Sequence, residues 1–89
     1  MAANPKHLSV EDGATKNLTS KAERAFKSLA ELLEQAKITE AATERGSTYH
    51  LNAQHMRVSA EVCLTNLKMS YKEIGRASNG RIVSSQFDD

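Results

Sequence analysis

The chain has 89 residues, with twelve Lys and Arg against eleven Asp and Glu, so it is one small domain of net charge +1. That balance argues against a module whose affinity comes from neutralising many phosphates. Apolar residues make up 39% of the chain, with no Trp, two Phe and two Tyr. Much of the apolar count is Ala, so a core built by this chain alone would be thin.

The opening MAANPKHLSV lacks the apolar run of a signal peptide, and no stretch approaches the roughly 18 apolar residues of a membrane span. A single cysteine cannot make an internal disulfide, which fits a reducing compartment. The expectation is a cytoplasmic or nuclear chain with no integral membrane segment. Residues 1–15 carry the only Pro and few large apolar side chains, and read as a flexible N-terminal arm. Within it, SVED from Ser9 has the outline of a helix-starting box.

The pattern changes at NLTSKAERAFKSLAELLEQAKITEAATER. Leu18, Ala22, Ala25, Leu29, Leu32 and Ala36 recur at alternating spacings of four and three, the period of a coiled-coil seam. Phe26 and Leu33 sit beside that seam and widen it to a core-facing stripe. Ser20 with Glu23 fits a capping box, though Leu18 argues for an earlier start. Thr39 and Thr43 stand where apolar residues would continue the stripe, so the seam weakens toward its end. Next, ERGST supplies Gly46 for the left-handed position that ends a helix and Ser47 or Thr48 to cap the next. A hairpin turning near 46–47 is therefore expected, in preference to one continuous rod.

A second helix should run from about Thr48 to Ala77. Tyr49, Ala53, Met56, Ala60, Cys63, Leu64, Leu67, Tyr71 and Ile74 form one stripe at the helical period. Leu51, Val58, Val62 and Met69 form a second stripe nearly opposite, and a two-helix hairpin can cover only one of them. The tail, residues 78–89, opens with the turn signal Asn79-Gly80, and Ile82, Val83 and Phe87 are enough for no more than a short docking segment. It is expected to be flexible.

STYHLNAQHMRVSAEVC, Ser47 to Cys63, contains two of the three histidines and the only cysteine. His50 and His55 are five residues apart, which turns them about 140° from each other on a helix. Paired ligands on one helix sit three or four apart, and no second Cys is present, so no metal site is expected there, nor one that His7 completes. Cys63, mid-helix among apolar residues, reads as a small buried hydrophobe and not as a nucleophile. His50, Arg57, Lys68 and Lys72 share one polar sector, and Arg76 and Arg81 follow it. Glu61 interrupts that sector.

The composite expectation is an all-α, coiled-coil-like hairpin of two long amphipathic helices over residues 16–77, acting in protein–protein interaction. It would be a non-enzymatic scaffold, adaptor or assembly factor within a multi-protein complex, with no cofactor and no small-molecule substrate. Its partners would be other helical subunits, in a hetero-oligomer by preference and otherwise a homo-oligomer. Leu18, Leu29, Leu32, Leu33, Met56, Leu67, Tyr71 and Ile74 would form a first interface, and Leu51, Val58, Val62 and Met69 a second. Ala22, Ala25, Ala36, Ala53 and Ala60 would allow close helix approach. The alternative is a small nucleic-acid-associated protein using the basic sector of the second helix. In size and pattern the chain resembles the small helical subunits of organelle-positioning, tethering, kinetochore and transcription-coactivator complexes, and equally the short helical hairpins of bacterial secretion chaperones, a likeness of architecture that picks out no one family.

Overall fold

The computed structural model describes residues 5–82 as an all-helical hairpin. Helix α1 spans Pro5–Ala42, helix α2 spans Thr48–Ala77, and they pack side by side along a rod of 64 × 19 × 16 Å. The pairing is antiparallel. Thr43 meets His50 beside the turn, and Asp12 meets Arg81 at the far end.

The turn forms where Gly46 and Ser47 place it. Gly46 takes φ 86°, the left-handed region that L side chains avoid, and Ser47 Oγ accepts the His50 backbone N–H at 3.1 Å as the cap of α2. At the other end of α2, Asn79 and Gly80 both adopt positive φ, and the Gly80 N–H reaches back to the Gly75 carbonyl at 2.9 Å. Ser78 Oγ then accepts the Ile82 backbone N–H at 3.1 Å, and this hook buries Ile82. Residues 78–82 are thus folded back onto the hairpin. Val83 and Phe87, the rest of the expected docking segment, lie outside the described residues.

Two expectations need correction. First, α1 begins at Pro5, so residues 5–15 belong to a helix and not to an arm, and neither Ser9 nor Ser20 starts it. Proline is tolerated in a helix's first turn because the N–H it lacks has no partner there. Farther along, Asp12 accepts two hydrogen bonds from Arg81, at 3.0 and 3.2 Å, which tie this end of α1 to the hook. Second, the seam of α1 is shifted. Its seam runs through Asp12, Thr15, Thr19, Ala22, Phe26, Leu29, Leu33, Ala36, Glu40 and Thr43, all withdrawn from solvent and at unbroken steps of three and four, with Glu23 and Thr39 partly covered beside it. Leu18, Ala25 and Leu32 stand one position to the side and are exposed.

Helix α2 answers with His50, Ala53, Arg57, Ala60, Leu64, Leu67, Tyr71, Ile74 and Ser78 at the same steps. Polar side chains can occupy seam positions where they find partners. Thr19 Oγ1 donates to the Lys16 carbonyl at 3.0 Å, Thr43 Oγ1 donates to the Thr39 carbonyl at 2.7 Å, and the Tyr71 hydroxyl donates to the Thr19 carbonyl across the interface. The closest packing is at alanines: Ala60 is 1% exposed, and Ala36 and Ala53 are 5% exposed. Among the described residues no large side chain is fully buried.

Ala60→Leu therefore overpacks the seam and should destabilise the hairpin by about 1–3 kcal/mol. Glu31→Gln, at an exposed position of α1 away from the seam, should stay within about 0.5 kcal/mol of the parent. Urea midpoints followed by circular dichroism distinguish the two. Tyr71→Phe should cost about 1 kcal/mol by deleting one interhelical hydrogen bond while keeping the ring.

Candidate interaction surfaces

Around the seam the hairpin has three distinct longitudinal surfaces. On one side, the residues flanking the seam are Leu18, Ala25, Leu32 and Thr39 on α1 and Tyr49, Met56, Cys63 and Ser70 on α2. These form a charge-free groove. The structure holds two apolar clefts in it, one about 250 Å³ near the turn and one about 210 Å³ toward the far end. The first has Ala36 and Ala53 in its floor and Leu32, Thr39, Tyr49 and Met56 in its walls; the second lies between Leu18, Ala22, Leu67, Ser70 and Ile74. Its large side chains are uncovered: Leu18 is 63%, Leu32 41%, Tyr49 76% and Met56 53% exposed. The clefts exist because alanines in the seam leave room between the larger residues at its edges.

The second surface is a ridge on the outer side of α2, where Leu51, Val58, Val62 and Met69 are each about half exposed. Exposed Asn52, Ser59, Asn66 and Glu73 separate this ridge from the groove. The third surface is the polar side opposite the groove, carrying Glu23, Lys37, Gln54, Glu61 and Lys68. There Arg57 Nε donates to Glu40 at 2.6 Å, and its Nη1 donates to Glu61 at 2.9 Å. The guanidinium holds the Glu40 carboxyl below its ordinary value, and the two carboxylates push Arg57 higher. At the far end Arg81 likewise lowers Asp12. Burial raises the Tyr71 phenol, with a further contribution from the charge of Glu23.

The twelve sequence-predicted interface residues divide among these surfaces. Leu29, Leu33, Leu67, Tyr71 and Ile74 are used within the hairpin itself. Leu18, Leu32 and Met56 line the groove, and Leu51, Val58, Val62 and Met69 make the ridge. Of the close-approach alanines, Ala36, Ala53 and Ala60 are buried, Ala22 is half-buried, and Ala25 is exposed. Cys63 is exposed in the groove, so its expected burial does not hold. That misplacement has the same origin as the shifted seam, since the predicted stripes mixed seam positions with their groove-side neighbours.

His50 is half-buried beside the turn with Nδ1 3.2 Å from Thr43 Oγ1, while His55 is exposed on the outer side of α2. Among the described residues no group of three or more His, Cys, Asp or Glu is arranged to hold a metal. The side chain of His7 lies outside those described. The basic sector is also divided: Arg57 and Arg81 are bound to carboxylates, and Lys68 is half-buried. Lys72 and Arg76 are exposed. No described helix is long and apolar enough to cross a membrane. Sequence reasoning missed Glu40 with Arg57 and Thr19 with Tyr71 as structural pairs. The available signal was the three-and-four spacing, which continues unbroken through those polar residues.

A carboxyl whose folded-state pKa is depressed contributes stability that is complete above its unfolded value and is lost as pH falls through the folded one. Glu40 and Asp12 should therefore leave the melting temperature level above about pH 5 and lower it as the solution is acidified further. Thermal melts from pH 7 to pH 3 test this. The pair of substitutions Asp12→Asn and Glu40→Gln should flatten the acid slope.

Compared with protein-family models, with curated proteins and with solved structures, the chain matches none.

Proposed function

We propose that the chain is a non-enzymatic helical subunit of a multi-protein complex, acting as a scaffold, adaptor or assembly factor through helical-bundle interfaces. One observation carries this reading: after the hairpin closes, a groove and a ridge of apolar side chains are still exposed, on different sides of the rod. Contiguous exposed apolar surface rimmed by polar residues is the ordinary mark of a protein interaction site. The seam buries mainly alanine and half-buried leucine, so covering these surfaces would add the apolar burial that the hairpin lacks. The function is then burial itself: other helices complete the core, and the assembled bundle holds its members in register. The reducing cytoplasm or nucleus suits an exposed Cys63.

The nucleic-acid alternative has less support. Two of its six basic residues, Arg57 and Arg81, already donate to carboxylates, which removes much of the charge it requires.

The test is an affinity pull-down of the full chain from its native cells at moderate salt, followed by mass spectrometry. A stable set of other small helical proteins is the expected result. Val58→Asp with Val62→Asp should lower their recovery at least about tenfold through charge on the ridge, while circular dichroism shows the hairpin's helicity retained. Unchanged recovery would remove the ridge from the interface.

A further inference from the structure

The groove has a pattern along its length that points to its occupant. Read from the far end toward the turn, its facing positions are Leu18 with Ser70, Ala25 with Cys63, Leu32 with Met56, and Thr39 with Tyr49. The clefts bracket this series, one beside Leu18 and Ser70 and the other between Leu32, Met56, Thr39 and Tyr49. On α1 large and small residues alternate, on α2 two small residues are followed by two large ones, and reversing either series about the middle of the face sets a large residue against every small one.

We infer that the groove is a homodimer interface, in which a second copy of this hairpin lies antiparallel across it to make a four-helix bundle. The inference rests on the bundle-subunit reading above and names the occupant of one of its two surfaces. The two-fold axis crosses the rod between the Ala25 and Leu32 levels. Rotation about it lays α1 on α1 and α2 on α2 of the other copy, so that each large side chain meets a small one. Leu32 covers Ala25 of the second copy, Met56 covers Cys63, Leu18 enters the cleft beside Thr39, and Tyr49 lies over Ser70. Alternation of large and small residues across facing layers is what lets a bundle core fill without voids. An isologous contact requires this kind of self-complementarity. A two-fold axis along the rod instead would stack Ala25 on Cys63 and Leu32 on Met56, leaving a gap at one level and crowding at the next.

Charge and area agree with this occupant. The groove positions from Leu18 to Ser70 carry no ionisable group except the Cys63 thiol and the Tyr49 phenol. Lys21, Ser28 and Gln35 rim them on α1 and Asn52, Ser59, Asn66 and Glu73 on α2, so the rim's two charges both lie toward the far end and the two-fold sets neither against a like charge. Two copies can therefore meet without like-charge repulsion, and interface cores are typically depleted of charge. Helical rise makes the face from Leu18 to Thr39 about 30 Å long. With the 19 Å width of the rod, the footprint is about 600 Å² on each copy, near the lower limit for a specific dimer. The ridge points outward in this arrangement and remains open to other subunits.

Sedimentation equilibrium of the full chain tests the inference, with a dimer of twice the 9.8 kDa chain mass expected at micromolar concentration. Leu32→Ala and Ala25→Leu change exposed positions, so each hairpin should still fold, and each should weaken the dimer at least about tenfold. The double variant exchanges the large and small levels and should recover most of the parental affinity. Tighter association of Ala25→Leu alone would overturn the antiparallel register. A dimer insensitive to both substitutions, or a chain that is monomeric throughout, would overturn the inference. In the monomeric case a pull-down separates the two claims. Helical partners lost from the ridge variant would leave the bundle-subunit reading standing, whereas their absence from the parental chain would end both.

Discussion

Everything in this molecule depends on how little apolar volume lies between its two helices. Ala36, Ala53 and Ala60 are the most completely buried apolar residues of the seam, and each contributes a single methyl group. Small residues let the helix axes approach closely but bury little area, and area is what stabilises a hairpin against the entropy of its unfolded chain. Phe26, Leu29, Leu33, Leu64 and Leu67 supply the larger contacts, and all five remain half-exposed because only one neighbouring helix covers them. The seam thus specifies a shape more firmly than it stabilises one.

Polar contacts complete that specification. Arg57 lies between Glu40 and Glu61, Tyr71 reaches the Thr19 carbonyl, and Arg81 holds Asp12, so the antiparallel register is marked near the turn, beyond the centre and at the far end. Ion pairs this exposed contribute little net stability. Their geometric consequence is larger, because shifting one helix by a turn would break all of them together. With polar groups at the seam's ends, Leu18, Leu32, Met56, Val58 and Val62 are left on the outside. A sequence that only needed to fold as a monomer would gain by reversing that arrangement.

The elements themselves were legible in the amino-acid sequence. Gly46 followed by Ser47 marked the turn through a left-handed glycine and a serine cap, and the bounds of α2 follow from that cap and the Asn79-Gly80 signal. The two opposed stripes of α2 were also readable, and the second appears intact as the ridge. The phase of the α1 seam was not. Large aliphatic residues at 18 and 32 drew the stripe to one side, whereas the true line runs through Thr15, Thr19, Glu40 and Thr43, and Thr19, Glu40 and Thr43 are held by partners distant in sequence or by the local backbone. Helix at residues 5–15 was hidden for the same reason. That segment has few apolar residues, and its tie to the rest is Asp12 with Arg81, a contact that a pattern of apolar spacing cannot register.

The shift in phase changes what the exposed residues mean. Leu18, Ala25, Leu32, Met56 and Cys63, when placed inside the hairpin, would merely stabilise it; placed beside the seam, they form a surface. The central claim is that covering this surface adds stability that the hairpin's own seam lacks. Thermal unfolding of the purified chain over a hundredfold range of concentration, followed by circular dichroism and sedimentation, tests that directly. Helicity and melting temperature should rise together with concentration as copies associate. A cooperative transition at one temperature throughout, from a chain that sediments as a monomer, would contradict it.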